Sequence, residues 1–146
     1  MRKFKLLALA LLVVSLGFTG CKKDDGDDTK AKILGKWEMT KEVWKEYNLD
    51  GSIKAQGTET DVDYEIEFKS NGSYTVFYQG DIEETGTYSI ENDGKKLVFN
   101  NAEDDIDDFH TINSLTSSQL ILYQEESETV GGQTFKSTYE LTFNKQ

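Results

Sequence analysis

The stretch Leu34-Gly35-Lys36-Trp37 opens the first strand of the chain and decides how the rest of the sequence is interpreted. Gly35 and Trp37 stand two residues apart, at the start of a strand that runs to about Tyr47. Glycine tolerates backbone angles that other residues avoid, and the tryptophan side chain carries a large apolar surface.

Beyond Trp37 the chain alternates between apolar and polar residues with a period of two, and it sustains helical spacing nowhere over three turns. The alternation predicts eight strands, near residues 36–48, 62–69, 73–79, 85–90, 95–100, 107–113, 119–125 and 134–144. Consecutive antiparallel strands joined by tight turns form a meander, and eight of them close on themselves and remove the exposed edges. The prediction is an all-β fold, an antiparallel up-and-down eight-stranded barrel.

The chain has no proline, so its turns must come from Gly, Asn and Asp. Asp50-Gly51 and Asn71-Gly72 are dipeptides typical of type I′ hairpin turns, which need positive φ at both central residues. Asn92-Asp93-Gly94 and Gly131-Gly132 mark two further turns.

Phase assigns an inward face to each predicted strand. On the first strand this face carries Trp37, Met39, Val43 and Tyr47, which leaves Trp44 out of phase and more exposed. The outward faces are mostly Glu, Thr, Ser and Lys, as expected of a sheet with one face in water.

The Gly35-x-Trp37 opening resembles the signature of the lipocalin and wider calycin families. Further blocks make most of the mature chain similar to small bacterial lipocalin-like lipoproteins: 67–74, 86–90, 115–120 and 139–143. The resemblance implies a lipocalin-like barrel in which Gly35 lets the chain turn out of a short helical lead-in over Thr29 to Leu34. It also implies that Trp37 enters the barrel floor, where its large apolar ring can plug the closed end. An ordinary core aromatic at a strand start is the alternative interpretation of Trp37. Larger lipocalins carry an arginine after the last strand that lies over this tryptophan. Arg2 is the only arginine here, so Lys145 is the candidate substitute.

The N-terminus has the pattern of a secretory signal. A basic segment, Met1 to Lys5, precedes an apolar run of 11 residues from Leu6 to Leu16, which is shorter than the roughly 20 that span a bilayer. The run ends at Phe18-Thr19-Gly20-Cys21, which resembles the bacterial lipobox, although Phe18 replaces the usual aliphatic residue. The resemblance implies cleavage before Cys21 and acylation of its thiol with lipid such as palmitate. A spare cysteine in an ordinary signal is the alternative.

These patterns divide the chain into a signal peptide over 1–20, an acylated cysteine and short disordered acidic tether over 21–29, and the barrel domain over 30–146. The Lys22-Lys23-Asp24-Asp25 sequence also resembles the signal that sends some lipoproteins to the outer face of the bacterial outer membrane. A solvated linker is the equally weighted alternative. The expected location is the outer membrane, with a lipid anchor, and the resemblance to the export signal implies exposure on the cell surface.

Charge excludes one class of partner. The full chain has a formal charge of −11, and removal of Arg2, Lys3 and Lys5 with the signal leaves 16 − 3 = 13 basic against 27 acidic residues, or −14. Such a field repels nucleic acid, which we therefore exclude as a partner.

The sequence offers no catalytic or metal-binding pattern, so the prediction is no enzyme and no cofactor. His110 is the only histidine and has no metal-ligand spacing, so a solvated strand residue is the favoured interpretation. The acidic run 103–108 could attract calcium but lacks the residue order of a calcium loop, which favours a solvated loop.

Two functional hypotheses follow. The first is a cell-envelope lipoprotein whose barrel binds a small apolar, neutral or cationic ligand, entering between the loops 48–61 and 126–134. The second is a structural or interaction lipoprotein whose barrel is filled by its own side chains and which contacts a protein or glycan. An eight-stranded barrel is wide enough for either. The candidate ligand contacts are Met39, Val43, Tyr64, Tyr78 and Tyr88.

Overall fold

The computed structural model describes residues 25–60, 62–101 and 108–146, with side chains from Asp28 onward. It begins with a helix, α1 (Asp25–Ile33), in which Asp28 and Lys32 form an ion pair of 2.5 Å one turn apart. Lys30 and Lys32 in its last turn complement the helix dipole. The helical lead-in is therefore confirmed, whereas the expected disordered tether is wrong for Asp25 to Asp28. Cys21 and the signal lie outside the described residues.

Nine strands follow the helix. They are β1 (Gly35–Tyr47), β2 (Ile53–Glu59), β3 (Tyr64–Phe68), β4 (Ser73–Tyr78), β5 (Asp81–Glu91), β6 (Lys96–Asn101), β7 (Asp108–Leu115), β8 (Gln119–Val130) and β9 (Gln133–Lys145). No helix among the described residues has the length and apolar character needed to cross a membrane.

The nine strands form a barrel with eight strand positions. The second half of β1 pairs with β2 and its first half with β3, on the same edge, so β2 and β3 act as one interrupted strand. From β3 to β9 each strand pairs with the next, and β9 closes the ring on the other edge of β1. All these pairs are antiparallel. The predicted up-and-down eight-stranded barrel is confirmed.

Four strands continue beyond the barrel wall. The ladder between β7 and β8 ends at Thr111 and Tyr123, yet β8 goes on pairing with β9 up to Val130 and Gln133. Together with β2 and residues 42–47 of β1, these ends form a four-stranded sheet that we call the extension. The predicted strands do not include the extension. They leave the residues of β2 in a loop and end the strand that corresponds to β8 at residue 125.

Turn geometry differs from the prediction at two hairpins. Gly51 and Gly72 have φ values of 83° and 82°, but Asp50 and Asn71 do not have positive φ, so neither dipeptide forms a type I′ turn. Positive φ at both central residues occurs instead at Gln79-Gly80, with 52° and 87°, and at Gly131-Gly132, with 60° and 80°.

A β-bulge at Thr40 reverses the inward face of β1. Met39 pairs with Phe143 and Lys41 with Thr142, so one extra residue lies between consecutive pairs. Past this point the even-numbered residues face inward, because Glu42 pairs with Leu141 and Trp44 with Tyr139. The expectation that Val43 and Tyr47 share the inward face with Trp37 is therefore wrong, and Trp44 is the inward-facing residue.

Candidate functional site

The floor of the barrel is built around Trp37. Its ring is fully buried and its indole nitrogen donates a 2.6 Å hydrogen bond to the carbonyl of Ile33, so the last turn of α1 covers the end of the barrel. Lys145 Nζ lies 5.0 Å from the centroid of the Trp37 ring and donates to the carbonyl of Lys32 at 2.9 Å. Gly35 has a φ of 112°, where other residues are strained. The structure thus places Gly35, Trp37 and Lys145 together at this end of the barrel.

A layer of aromatic rings lies above the floor. Phe99 packs edge-on against Tyr74 at 4.9 Å and lies 6.0 Å from Phe68, which in turn packs edge-on against Tyr88 at 4.9 Å between ring centroids. Gly86 leaves room for the Tyr74 ring, since a Cβ there would come within 2.7 Å of it. These side chains fill the lower half of the barrel.

Above the aromatic layer is a cavity of about 240 Å³. A mostly apolar wall comes from β1, β3, β4, β8 and β9, where Glu65, paired with Lys36 at 2.6 Å, is the charged lining residue. A mostly polar wall, which also includes Phe99, comes from β5, β6 and β7. The apolar side chains are Met39, Ile66, Val76, Leu122, Leu141 and Phe143, and the polar ones include Glu84, Asn101, Asp108 and His110. Cavities of about 150 Å³ hold a benzene molecule, so this one accommodates a ring with a short substituent.

Two carboxylates belong to the polar wall. Glu84 accepts a hydrogen bond from the hydroxyl of Tyr74, and Asp108 accepts one of 2.8 Å from the side-chain amide of Gln124. The side chain of Asp108 is 54% exposed, so Asp108 is the outer of the two carboxylates. Within the described residues neither carboxylate has a Lys or Arg partner.

His110 lies deep in the cavity wall, with 6% of its surface exposed. Its ring packs edge-on against Phe99 at 5.6 Å. Its Nδ1 has no hydrogen-bond partner, and the nearest carboxylate oxygen of Asp108 is 3.8 Å away. Burial lowers the pKa of His110, and the charge of Asp108 opposes that shift only in part. The imidazole is therefore neutral near pH 7, and the interpretation as a solvated residue is wrong.

A third carboxylate faces inward at the base of the extension. Glu42 pairs with Leu141 on one side and with Glu59 on the other. Burial, and then the charge of Glu59, raise the pKa of Glu42. The end of the barrel opposite the floor, which we call the mouth, is therefore acidic.

The structure brings together only some of the five candidate ligand contacts. Met39 and Tyr64 line the cavity, and Tyr78 packs on Tyr64 with 4.8 Å between ring centroids. Val43 lies on the outer face of β1. Tyr88 lies at the floor end, where its hydroxyl donates to the carbonyl of Lys69 at 3.1 Å. The ligand contacts themselves stay a prediction.

Sequence reasoning missed the polar wall. The alternation that places Tyr88 and Ile90 inward also reaches Gly86 and Glu84, and His110 stands two residues before the inward Ile112. Extending the predicted strands 85–90 and 95–100 by one residue would have reached Glu84 and Asn101. Asp108 and His110 already lie within the predicted strand 107–113 and share the face of Ile112. The loops expected to border the opening are largely strand, because 53–59 and 126–130 belong to the extension.

Metal binding has no support in the described part of the chain: residues 25–60, 62–101 and 108–146 contain no group of three His, Cys, Asp or Glu side chains arranged to hold an ion. Residues 103–107 of the acidic run lie outside those ranges.

Comparison of the sequence with protein-family models supports the barrel architecture. A family model described as a lipocalin-like domain matches residues 33–122, which begin at the end of α1 and reach into β8. Comparison with curated proteins gives no match. The matched span is more than half of the chain and includes Gly35, Trp37 and most of the cavity wall. The chain therefore belongs to the lipocalin-like domain family.

Proposed function

We propose that this protein is a cell-envelope lipoprotein whose barrel binds one small, largely apolar molecule in the cavity above the aromatic layer. The observation that carries the proposal is the unfilled space of about 240 Å³ between Met39, Ile66 and Leu141 on one side and the polar wall on the other. A space of mixed lining that the chain's own side chains leave open is the usual form of a small-molecule site. The lipocalin-like family is generally non-enzymatic, and we assign no catalytic step.

The ligand is tested first without assuming its identity. Native mass spectrometry of protein purified from its own envelope should show a bound mass that leaves on denaturation. Titration with apolar compounds of increasing size should then raise the unfolding midpoint for single-ring compounds but not for sterols or haem, which exceed the cavity. If no compound shifts the midpoint up to about a millimolar, where −4.1 kcal/mol of binding is detectable, ligand binding is refuted.

The site is tested by filling it. Met39→Trp adds bulk on the cavity wall and should abolish the midpoint shift produced by a single-ring ligand. Val43→Trp places the same side chain on the outer face of β1 and is the matched control. Equal loss of binding in both variants would mean that the ligand does not occupy the cavity.

The second candidate function is contact with a protein or glycan through the extension. It is favoured by the exposed apolar side chains at its tip: Leu49, Ile53, Val130 and Phe135 are between 41% and 57% exposed. Such patches mark interaction sites when they are contiguous. Replacing Leu49 and Phe135 with Ser should leave single-ring ligand binding intact, which separates this function from the first.

The anchor is a separate part of the proposal and rests on the lipobox-like Phe18-Thr19-Gly20-Cys21. Cys21→Ala should release the barrel from the membrane fraction and remove the lipid mass from its N-terminus. Phe18→Leu restores the usual aliphatic residue, so it should be processed at least as efficiently as the natural chain. Membrane retention of Cys21→Ala through a high-salt wash would refute the anchor, and protease treatment of intact cells would decide between the two faces of the outer membrane.

A further inference from the structure

The two walls of the cavity differ in chemistry, and the polar one carries negative charge. Glu84, Asn101 and Asp108 stand on the adjacent strands β5, β6 and β7, at their mouth ends. The opposite wall is formed by Met39, Leu141 and Phe143. A molecule held between them must therefore be apolar on one side and complementary to carboxylates on the other.

Among the residues that the structure describes, no Lys or Arg side chain pairs with these two carboxylates. The residues 102–107 that join Asn101 to Asp108 contain no basic side chain. A partly desolvated carboxylate is more stable beside an opposite charge. The hydrogen bonds from Tyr74 and Gln124 satisfy only part of the acceptor capacity of the two groups.

His110 lines the same cavity but does not offer Nδ1 to it. The ring is more than nine-tenths buried, and Nδ1 is itself inaccessible and has no hydrogen-bond partner, so a molecule in the open space does not reach this atom. Because burial lowers the pKa of His110, the imidazole is neutral near pH 7 and adds no positive charge that would repel a cation from the carboxylates.

We propose that the ligand is a small primary amine, with its ammonium group directed at Glu84 and Asp108 and its apolar body against Met39, Leu141 and Phe143. An ammonium has three donors and no acceptor, which matches a wall of acceptors. The cavity volume limits the body to about one aromatic ring with a short chain. This inference rests on the proposed ligand-binding function and specifies its ligand class.

The test compares three probes of nearly equal size: phenethylamine, phenethyl alcohol and hydrocinnamate. Calorimetric titration of the mature barrel at moderate salt should give an affinity order of amine, then alcohol, then carboxylate, with about tenfold or more between the first two. Glu84→Gln and Asp108→Asn should each weaken the amine by a similar factor and leave the alcohol unchanged. Glu83→Gln is the control, since Glu83 is the exposed neighbour of Glu84 on β5.

Each outcome of these titrations supports or overturns the assignment of an amine ligand. Equal affinity for the amine and the alcohol overturns the head-group assignment while ligand binding stands. An effect of Glu83→Gln as large as that of Glu84→Gln also overturns it, because diffuse surface charge then explains the preference. Failure of every probe, together with failure of the wider apolar series, overturns both proposals. If either cavity variant unfolds, the affinities of the natural chain for the amine and the alcohol still test the head-group assignment.

Discussion

Trp44 lies directly over Gly57 in the β1–β2 pair. A Cβ built on Gly57 would come within 2.6 Å of two atoms of the indole ring, closer than side chains approach in folded proteins. The bare backbone of β2 therefore provides the surface on which the inward Trp44 packs. This contact joins β2, which pairs with no strand other than β1, to the inner side of the barrel.

Substitution of Gly57 by Ala should destabilise the protein by about 1–3 kcal/mol, the usual cost of overpacking. Because the clash is with a side chain, Trp44→Leu should relieve much of it, and the double variant should be more stable than the sum of the two changes implies. Chemical unfolding followed by circular dichroism measures both quantities. Gly86→Ala is the comparison: its Cβ would lie 2.4 Å from the backbone oxygen of Asn100, so no side-chain change should rescue it.

Trp37→Ala should lower the free energy of unfolding by about 3–5 kcal/mol, because it empties the floor of the barrel and removes the contact with Ile33. Trp44→Ala should cost clearly less, since Trp44 is only partly buried. Trp37→Phe keeps most of the volume but loses the hydrogen bond to the Ile33 carbonyl, so its loss in free energy of unfolding should lie between those of the two alanine variants. Equal losses from the two alanine variants would contradict the placement of the floor.

Lys145→Met should destabilise the protein by about 1 kcal/mol, because the variant loses both the ammonium over the Trp37 ring and the hydrogen bond to the Lys32 carbonyl. Lys145→Arg should retain stability, since guanidinium also stacks on aromatic rings. Lys54→Met, at an exposed ion pair with Glu46, is the control and should change little. A loss as large for Lys54→Met would show that general charge, not the floor contact, is responsible.

Acid should weaken the fold through His110. Burial lowers the pKa of His110 in the folded state below its ordinary value of 6.5, so the unfolded chain binds the proton at higher pH. The stabilisation is therefore complete above about pH 6.5 and is lost as pH falls toward the folded pKa. The stability difference between the natural chain and His110→Gln, measured from about pH 7.5 to pH 5, should shrink or change sign over this range.

Two ion-paired carboxylates affect stability in a different pH range. Hydrogen bonds with Lys36 and Lys136 lower the pKa values of Glu65 and Glu125, whose stabilisation is lost only as pH falls below 4.5. A difference curve between the natural chain and His110→Gln that is flat from about pH 7.5 to pH 5 would contradict the buried, neutral state of His110.

The barrel could be predicted from the sequence because strand alternation and turn residues are local signals that repeat eight times. The reversal of face in β1 could not, because a bulge at Thr40 leaves no mark in the residues around it. The strand β2 carries only Ile53 and Ala55 as apolar residues, since it is exposed on much of its surface, and so it has the composition of a loop. His110 was obscured by the aspartates that precede it, although its position relative to Ile112 gave the correct face.

The chain enters and leaves the barrel at the same end. Gly35 and Lys145 both flank Trp37, and α1 leads directly into the floor. If Cys21 carries the proposed lipid, only residues 22–24 separate it from α1, so the closed end faces the bilayer. A strand of 13 residues spans about 40 Å, so the tip of β1 then points well away from the membrane surface. A ligand would be captured from the aqueous phase and not extracted from the lipid.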